Sequence, residues 1–240
     1  MRLSLIIPAY NEALRLDPTL RMVEEYLTRQ NYSAEVIVVD DGSHDGTADV
    51  ARNWAATAPV SGRVLRLDTN RGKGNAVRAG MQSASGDFRV FYDADASTPI
   101  EELEKLWPHF EQGADIVIGS RALAASALRV RQAWYREQMG RVFNLLLRFF
   151  RLTSFRDTQC GFKGFRANAA EAVFGRLTRE RFSFDAEVLF IAQRLGYSIV
   201  EVPITWSNAP ASQVHPLRDS LRMMMDILII RLNALRGAYK

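Results

Sequence analysis

FRVFYDADASTP (residues 88–99) is a short apolar run closed by two aspartates, Asp93 and Asp95, with Thr98 and Pro99 close behind. Similar runs recur through the first half of the chain: LSLIIP (3–8), EVIVVD (35–40), RVLRLD (63–68) and DIVIGS (115–120). Rich in Val and Ile and nearly continuous, they predict strands covered on both faces. Helical patterns near 18–29, 45–57, 74–84 and 99–112 lie between them. The last is expected to start with Thr98 as N-cap, Pro99 as first helical residue and Glu101 closing a capping box. Such alternation predicts an α/β fold, a mostly parallel central sheet flanked by helices.

Sheets of this kind bind ligands at the carboxyl ends of their strands. The sequence there reads PAYNE (8–12), DDGS (40–43), DTNRGKGNA (68–76), DADAST (93–98) and GSRA (119–122), polar throughout. Asp93 and Asp95 stand at i and i+2 of an extended segment, so both point to one face. Two carboxylates so placed suit a hard cation, Mg²⁺ or Mn²⁺, shared with substrate phosphates; the alternative is an Asx turn or helix cap. Asp40 suits a nucleobase or ribose, or a plain turn. Lys73 lies in a glycine-marked stretch opening a helix, which resembles a phosphate cradle but lacks the P-loop spacing. Arg121 is a second candidate phosphate clamp, with the bidentate geometry an arginine provides.

The second half changes character. Residues 131–151 predict an amphipathic helix with Trp134, Tyr135, Val142, Leu145, Leu146 and Phe149 on one side and Arg141, Arg148 and Arg151 on the other. That helix either packs on the sheet or lies on a membrane surface. A glycine-marked loop running into a hairpin-like segment (155–167), a helix near 184–195, a strand over 197–206 and a final helix over about 216–236 are expected next. The final helix repeats apolar residues at Leu217, Leu221, Met224, Met225, Leu228 and Leu232.

Bulk properties bound the answer. The 240 residues are 48% hydrophobic and 24% charged, a globular composition. The net charge of +4 divides unevenly: residues 1–120 are acidic and 121–181 strongly basic, which points to an anionic partner or to a solvated cationic face. One cysteine, Cys160, suits a reducing compartment. The opening apolar run is too short for a secretory leader, and no window matches a spanning helix, so a soluble protein is expected, one that could still lie on a membrane surface.

The ordered set LSLIIPAYNE, EVIVVDDGSHDGT, NRGKGNAVRAG, YDADAS and IGSR resembles the family 2 glycosyltransferases of GT-A fold. RDTQCGFKGFR, FSFDAEVLFIAQRLGY and IVEVPITW narrow the likeness to the dolichyl-phosphate glucosyltransferase and polyprenyl-phosphate sugar transferase branch. The resemblance implies a single catalytic domain over 1–215 and an amphipathic helix over 216–240. Within that domain, 1–120 would bind the nucleotide-sugar donor and 121–215 the acceptor. Pro8, Tyr10, Glu12 and Asp40 would surround base and ribose, Lys73 and Arg121 the diphosphate, and Asp93 with Asp95 the metal bridging it. Asp157 would be the catalytic base or would orient the acceptor; Gln159, Lys163 and Asp185 would bind the acceptor, and Asp185 is the second candidate base or an N-cap. Glu187 either forms a salt bridge or points into the site.

The implied activity is inverting transfer of a hexose, glucose from UDP-glucose, onto a polyprenyl or dolichyl phosphate at the cytoplasmic face of a membrane. A soluble sugar or glycan acceptor, or a noncatalytic nucleotide-sugar-binding module, are the alternatives. Nucleic acid is not expected, since neither an aromatic platform nor a basic recognition element is found. Two departures stand out. Ser212-Gln213 is neutral where relatives usually carry a cation after a serine; either His215 or Arg218 substitutes, or this loop does not close over the donor. Ser97 stands where mannosyl relatives tend to have a glutamine, which leans the donor toward UDP-glucose.

Overall fold

The computed structural model describes residues 1–130, 134–208 and 216–240. Ser212, Gln213 and His215 lie outside the described residues, as do the side chains of Tyr135, Leu217, Arg218 and Leu221. The first half alternates as β1 (Arg2–Ala9), α1 (Ala13–Thr28), β2 (Ser33–Asp40), α2 (Thr47–Thr57), β3 (Ser61–Arg66), α3 (Lys73–Ser83), β4 (Phe88–Tyr92), a 3-10 helix (Ile100–Lys105), α4 (Trp107–Glu111) and β5 (Ile116–Ser120). The second half adds β6 (Ala127–Val130), α5 (Trp134–Phe149), β7 (Phe162–Arg166), α6 (Ala167–Gly175), α7 (Phe184–Arg194), β8 (Ile199–Pro203), β9 (Thr205–Ser207) and α8 (Pro216–Leu235).

Seven of these strands form one sheet in the order β3-β2-β1-β4-β7-β5-β8. All neighbours run parallel except β7, which lies antiparallel between β4 and β5. Alternate residues of each strand enter opposite layers. Leu5, Ile7, Val36, Val38 and Val90 pack with α1 and α2 through Leu20, Val23 and Trp54. Ile6, Ile37, Val39 and Phe91 pack with α3, α6 and α7 through Val77, Val173 and Phe184. Burial on both faces explains the uninterrupted apolar runs. Register then sets the strand ends on one edge: Ala9 faces Asp40, Asp40 faces Arg66, and Ile6 faces Phe91.

Several expectations are corrected. The helix expected over 99–112 is two pieces, the 3-10 helix and α4, and Thr98 makes no side-chain cap. Pro108 is the reason: without an N–H it cannot bond the carbonyl four residues back, so a continuous α-helix is interrupted there. The segment at 155–167 is not a hairpin, because β7 pairs with two strands distant in sequence. The strand expected over 197–206 divides, β8 joining the main sheet and β9 pairing with β6 in a separate ladder.

In α5 the packing face is not the stripe named from the sequence. Phe143 and Leu147 are buried, whereas Trp134, Val142, Leu145 and Phe149 are exposed, Phe149 at 76%. α8 repeats the pattern, with Met223, Ile227, Ile230 and Ala234 inward and Met224, Met225, Leu228 and Leu232 outward.

Candidate functional site

The edge formed by the strand ends carries the acids singled out from sequence. Asp93 follows β4 directly, and its Oδ1 receives Lys73 Nζ at 2.6 Å. Its carboxylate lies against the backbone of Gly161: a Cβ there would stand 1.9 Å from Asp93 Oδ2, so only glycine fits. Asp95 Oδ1 accepts the Ser97 N–H at 3.0 Å, around Ala96 in a left-handed conformation at φ 50°. The Asx turn is therefore present, and Ala94 and Asp95 lie in a turn rather than in an extended segment. Burial raises the Glu12 carboxyl above its ordinary range against the opposing Arg15 pair, and the Asp95 and Asp93 charges add to the rise. Three acids thus share one corner.

Among the described residues no group of three or more His, Cys, Asp or Glu is set to hold a metal ion. Two carboxylates beside the Lys73 ammonium still fit Mg²⁺ or Mn²⁺, which are commonly held by one or two carboxylates with waters and substrate phosphates.

Asp40 and Asp41 close β2 on the same edge. Asp40 is fully buried; its Oδ1 accepts the Ser43 N–H at 3.0 Å. Its Oδ2 has no hydrogen-bond partner among the described residues, although Arg66 Nε lies 3.4 Å away. Loops 8–12 and 40–47 are laced together: Asn11 N donates to Ser43 Oγ, His44 N to Asn11 Oδ1, and Glu12 N to Thr47 Oγ1. Pro8 is buried and Tyr10 half-buried beside them.

Sequence reasoning assigns Asp41 no role of its own. Its Oδ2 accepts Gly72 N at 2.7 Å and its Oδ1 accepts Arg71 N at 3.2 Å, tying β2 to the loop that carries Lys73. The doubled acid in DDGS is the available signal. Burial raises the Asp41 carboxyl against those two amide bonds.

Arg121, just past β5, makes a bidentate pair with Asp157: Nε to Oδ2 at 2.6 Å and Nη2 to Oδ1 at 2.8 Å. Its guanidinium also lies 5.3 Å from the Trp206 ring centroid. Glu201 Oε1 accepts the Asp157 N–H at 2.9 Å, fixing the loop from below. Burial alone would raise the Asp157 carboxyl, but the Arg121 charge and hydrogen bonds override it and hold the group down at about 2. Gln159 is half-buried, its N–H donating to Asp157 Oδ1.

Lys163 and Asp185 do not present themselves to an acceptor. Lys163 is 0% exposed; its Nζ donates to Asp185 Oδ1 at 2.5 Å and to the Cys160 carbonyl, and lies over the Phe91 ring. β7 alternation turns the side chain inward, where a buried cation requires a carboxylate. Asp185 sits in the first turn of α7 and makes no cap. Burial raises its carboxyl, with the Lys163 and Lys73 charges opposing. Lys73 is itself held protonated: burial disfavours its charge, and Asp93 and Asp185 outweigh that. Asp93–Lys73, Asp185–Lys163 and Arg121–Asp157 thus form one cluster of alternating charge beneath the edge. Glu187 forms no salt bridge among the described residues and is fully buried, bonded to Thr178, Arg179 and Tyr239.

Comparison with known proteins follows the same lines. The family model described as Glycosyl transferase family 2 matches residues 4–174. A dolichyl-phosphate beta-glucosyltransferase of Mus musculus is 38% identical over 100% of this chain and 78% of its own. One of Dictyostelium discoideum is 35% identical over 99% of this chain and 76% of its own. Among solved structures, glucosyl-3-phosphoglycerate synthase from Mycobacterium tuberculosis, in complex with Mn²⁺, UDP and glucosyl-3-phosphoglycerate, superposes with a TM-score of 0.72. It is 20% identical and covers 97% of this chain and 79% of that one. Mannosyl-3-phosphoglycerate synthase from Rubrobacter xylanophilus gives 0.67 at 18% identity, over 99% of this chain and 76% of that one. At these identities the structural likeness speaks for the fold.

Proposed function

The chain belongs to glycosyl transferase family 2, and from that premise we propose that it moves glucose from UDP-glucose, with inversion, onto a polyprenyl or dolichyl phosphate at a membrane surface. The observation that carries this reading is the match, over nearly all of this chain, to proteins named dolichyl-phosphate beta-glucosyltransferase. Their likeness runs past the donor-binding half into α7 and α8.

Asp40 offers the donor's base or ribose a buried oxygen that accepts no hydrogen bond among the described residues, with Pro8, Tyr10 and Glu12 on the neighbouring strand-end loop. Asp93 and Asp95 would hold a divalent ion, Mg²⁺ or Mn²⁺. Such an ion, when bound, supplies positive charge against the departing diphosphate. Lys73 and Arg121 add fixed cations at that place, an electrostatic contribution that needs no reorganisation during reaction. The acceptor phosphate oxygen attacks the anomeric carbon, the bond to UDP breaks, and UDP leaves with the electron pair.

Asp157 enters as a positioning group. A carboxylate held at about 2 by Arg121 is a weak proton acceptor, and an acceptor phosphate is already anionic near neutral pH. Its part is to aim Arg121. Lys163 and Asp185, buried beneath, set the field at Lys73 without touching the acceptor.

No helix among the described residues is long and apolar enough to cross a membrane. The outward faces of α5 and α8 combine apolar side chains with exposed Arg141, Arg148 and Arg151, the composition of an interfacial surface. This supports peripheral association. The test is turnover of UDP-[¹⁴C]glucose with short polyprenyl phosphates and with soluble sugars, each with and without Mg²⁺. Labelled lipid is the expected product. Transfer only to soluble acceptors, or binding without turnover, would overturn the proposal.

A further inference from the structure

Glu187 is the one fully buried carboxylate near the site, among the described residues, that the reaction does not use, and its partners are unusual. None of them is a cationic side chain: its Oε2 accepts Thr178 N at 2.9 Å and Arg179 N at 2.6 Å, and its Oε1 accepts Thr178 Oγ1 at 2.5 Å and the Tyr239 hydroxyl. Tyr239 is 2% exposed and packs edge-on to Phe190. Asn233 Nδ2 donates to Thr178 Oγ1 at 3.1 Å, bringing α8 into the same knot. An anion held by neutral donors needs each of them, because leaving a buried charge short of hydrogen bonds is costly.

The loop so held, residues 176–181, lies directly on the segment that carries Lys73. Glu180 O accepts Asn75 N at 3.0 Å, Leu177 O accepts Arg78 Nη1 at 3.1 Å, and Glu180 pairs with Arg71. A Cβ on Gly74 would meet the Arg179 and Glu180 carbonyls at 2.9 Å and Phe184 Cβ at 2.6 Å, so the two backbones touch. From the opposite side Asp41 takes the amides of Arg71 and Gly72. The 71–75 segment is gripped between the Asp41 carboxylate just past β2 and a loop whose own anchor is Glu187.

We propose that Glu187 and Tyr239 are positioning residues for the donor diphosphate, fixing Lys73 through the 176–181 loop. The proposal rests on the donor reading above. A weakened anchor lets the loop relax and loosens the start of α3, so a nucleoside diphosphate binds less tightly while the strands keep their register.

The experiment compares Tyr239→Phe with Tyr26→Phe. The latter also removes a largely buried tyrosine hydroxyl bonded to an acid, Glu104, but in the layer on the other face of the sheet. The readouts are UDP affinity in Mg²⁺ by calorimetry, amide hydrogen exchange over residues 71–76, and the thermal midpoint. Tyr239→Phe is expected to weaken UDP and speed exchange about fivefold, the loss of about 1 kcal/mol. Tyr26→Phe is expected to move the midpoint comparably and neither of the other two. Thr178→Val, which removes a different donor to Glu187, is expected to repeat the Tyr239→Phe result and replaces it should that variant not fold. Unchanged exchange and affinity in Tyr239→Phe, or equal changes in Tyr26→Phe, would overturn the proposal. Should the wild-type protein not bind UDP, the donor reading fails, and exchange over 71–76 still decides the anchor.

Discussion

Asp157 spends both carboxylate oxygens on one guanidinium, and that choice fixes what it can do. Its folded pKa of about 2 lies below the ordinary aspartate value of about 3.9. A depressed carboxylate contributes stability that is complete above pH ~4 and lost as pH falls toward ~2. Asp157→Asn is therefore expected to cost about 2 kcal/mol at pH 7, and the gap to the wild type should shrink as pH falls from ~4 to ~2. Denaturant melts at neutral pH and at pH ~2.5 check this; a gap independent of pH would mean that the substitution removes packing, not charge. The sequence shows an aspartate opening a glycine-marked loop, which fits a catalytic base, an acceptor-orienting group or an Asx turn. Only the fold brings Arg121, 36 residues earlier, to the same point. Gly161 is similar: its need for glycine comes from Asp93, a residue distant in sequence.

At the scale of elements, periodicity locates most of the helices, treats 99–112 as one helix, misses α6 and misjudges what covers α5 and α8. The amphipathic pattern in α5 is correct as a pattern, yet Phe143 and Leu147 carry the packing while Trp134, Val142, Leu145 and Phe149 face outward. A 3.6-residue period identifies an apolar face but is silent when a helix has two. The same reason hides the inward stripe of α8. In a soluble setting a second face is a liability; beside exposed arginines it has the character of an interfacial anchor. Leu145→Glu with Phe149→Glu should leave the thermal midpoint nearly unchanged, because neither residue is in the core. The pair should reduce binding to vesicles containing anionic lipid at least about tenfold, given roughly 1.5–3 kcal/mol for each large apolar side chain withdrawn from water. Vesicle cosedimentation measures it, and undiminished binding would assign the face to another role.

At the scale of the whole molecule, the reach of the strand-end rule explains which part of the site was legible. The first half supplies parallel strands, so their carboxyl ends had to share one edge, and Glu12, Asp40, Lys73, Asp93 and Arg121 do gather there. β7 breaks the rule by running antiparallel: Phe162, its first residue, pairs with Tyr92, the last of β4. Residues 157–161 reach the site because β7 begins there, and no periodicity announces a strand's direction. Lys163 escapes the rule for the same reason, one register step turning it inward beneath the edge it was expected to line, where it meets Asp185 of α7.

The assembled edge carries Glu12, Asp93 and Asp95 against Lys73, with Arg121 already committed to Asp157. A diphosphate arriving alone would add negative charge to that corner; with a divalent ion it would not. UDP and Mg²⁺ or Mn²⁺ should therefore stabilise the fold together far more than either alone. At a hundredfold excess over the dissociation constant the gain is about 2.7 kcal/mol, a rise in thermal midpoint of roughly 5–10 °C for a domain of this size. EDTA should abolish the rise, and Asp95→Asn should reduce it while leaving the unliganded midpoint near the wild-type value. A UDP-dependent shift of equal size in EDTA would show that Lys73 and Arg121 suffice for the diphosphate and that the paired aspartates serve the turn alone.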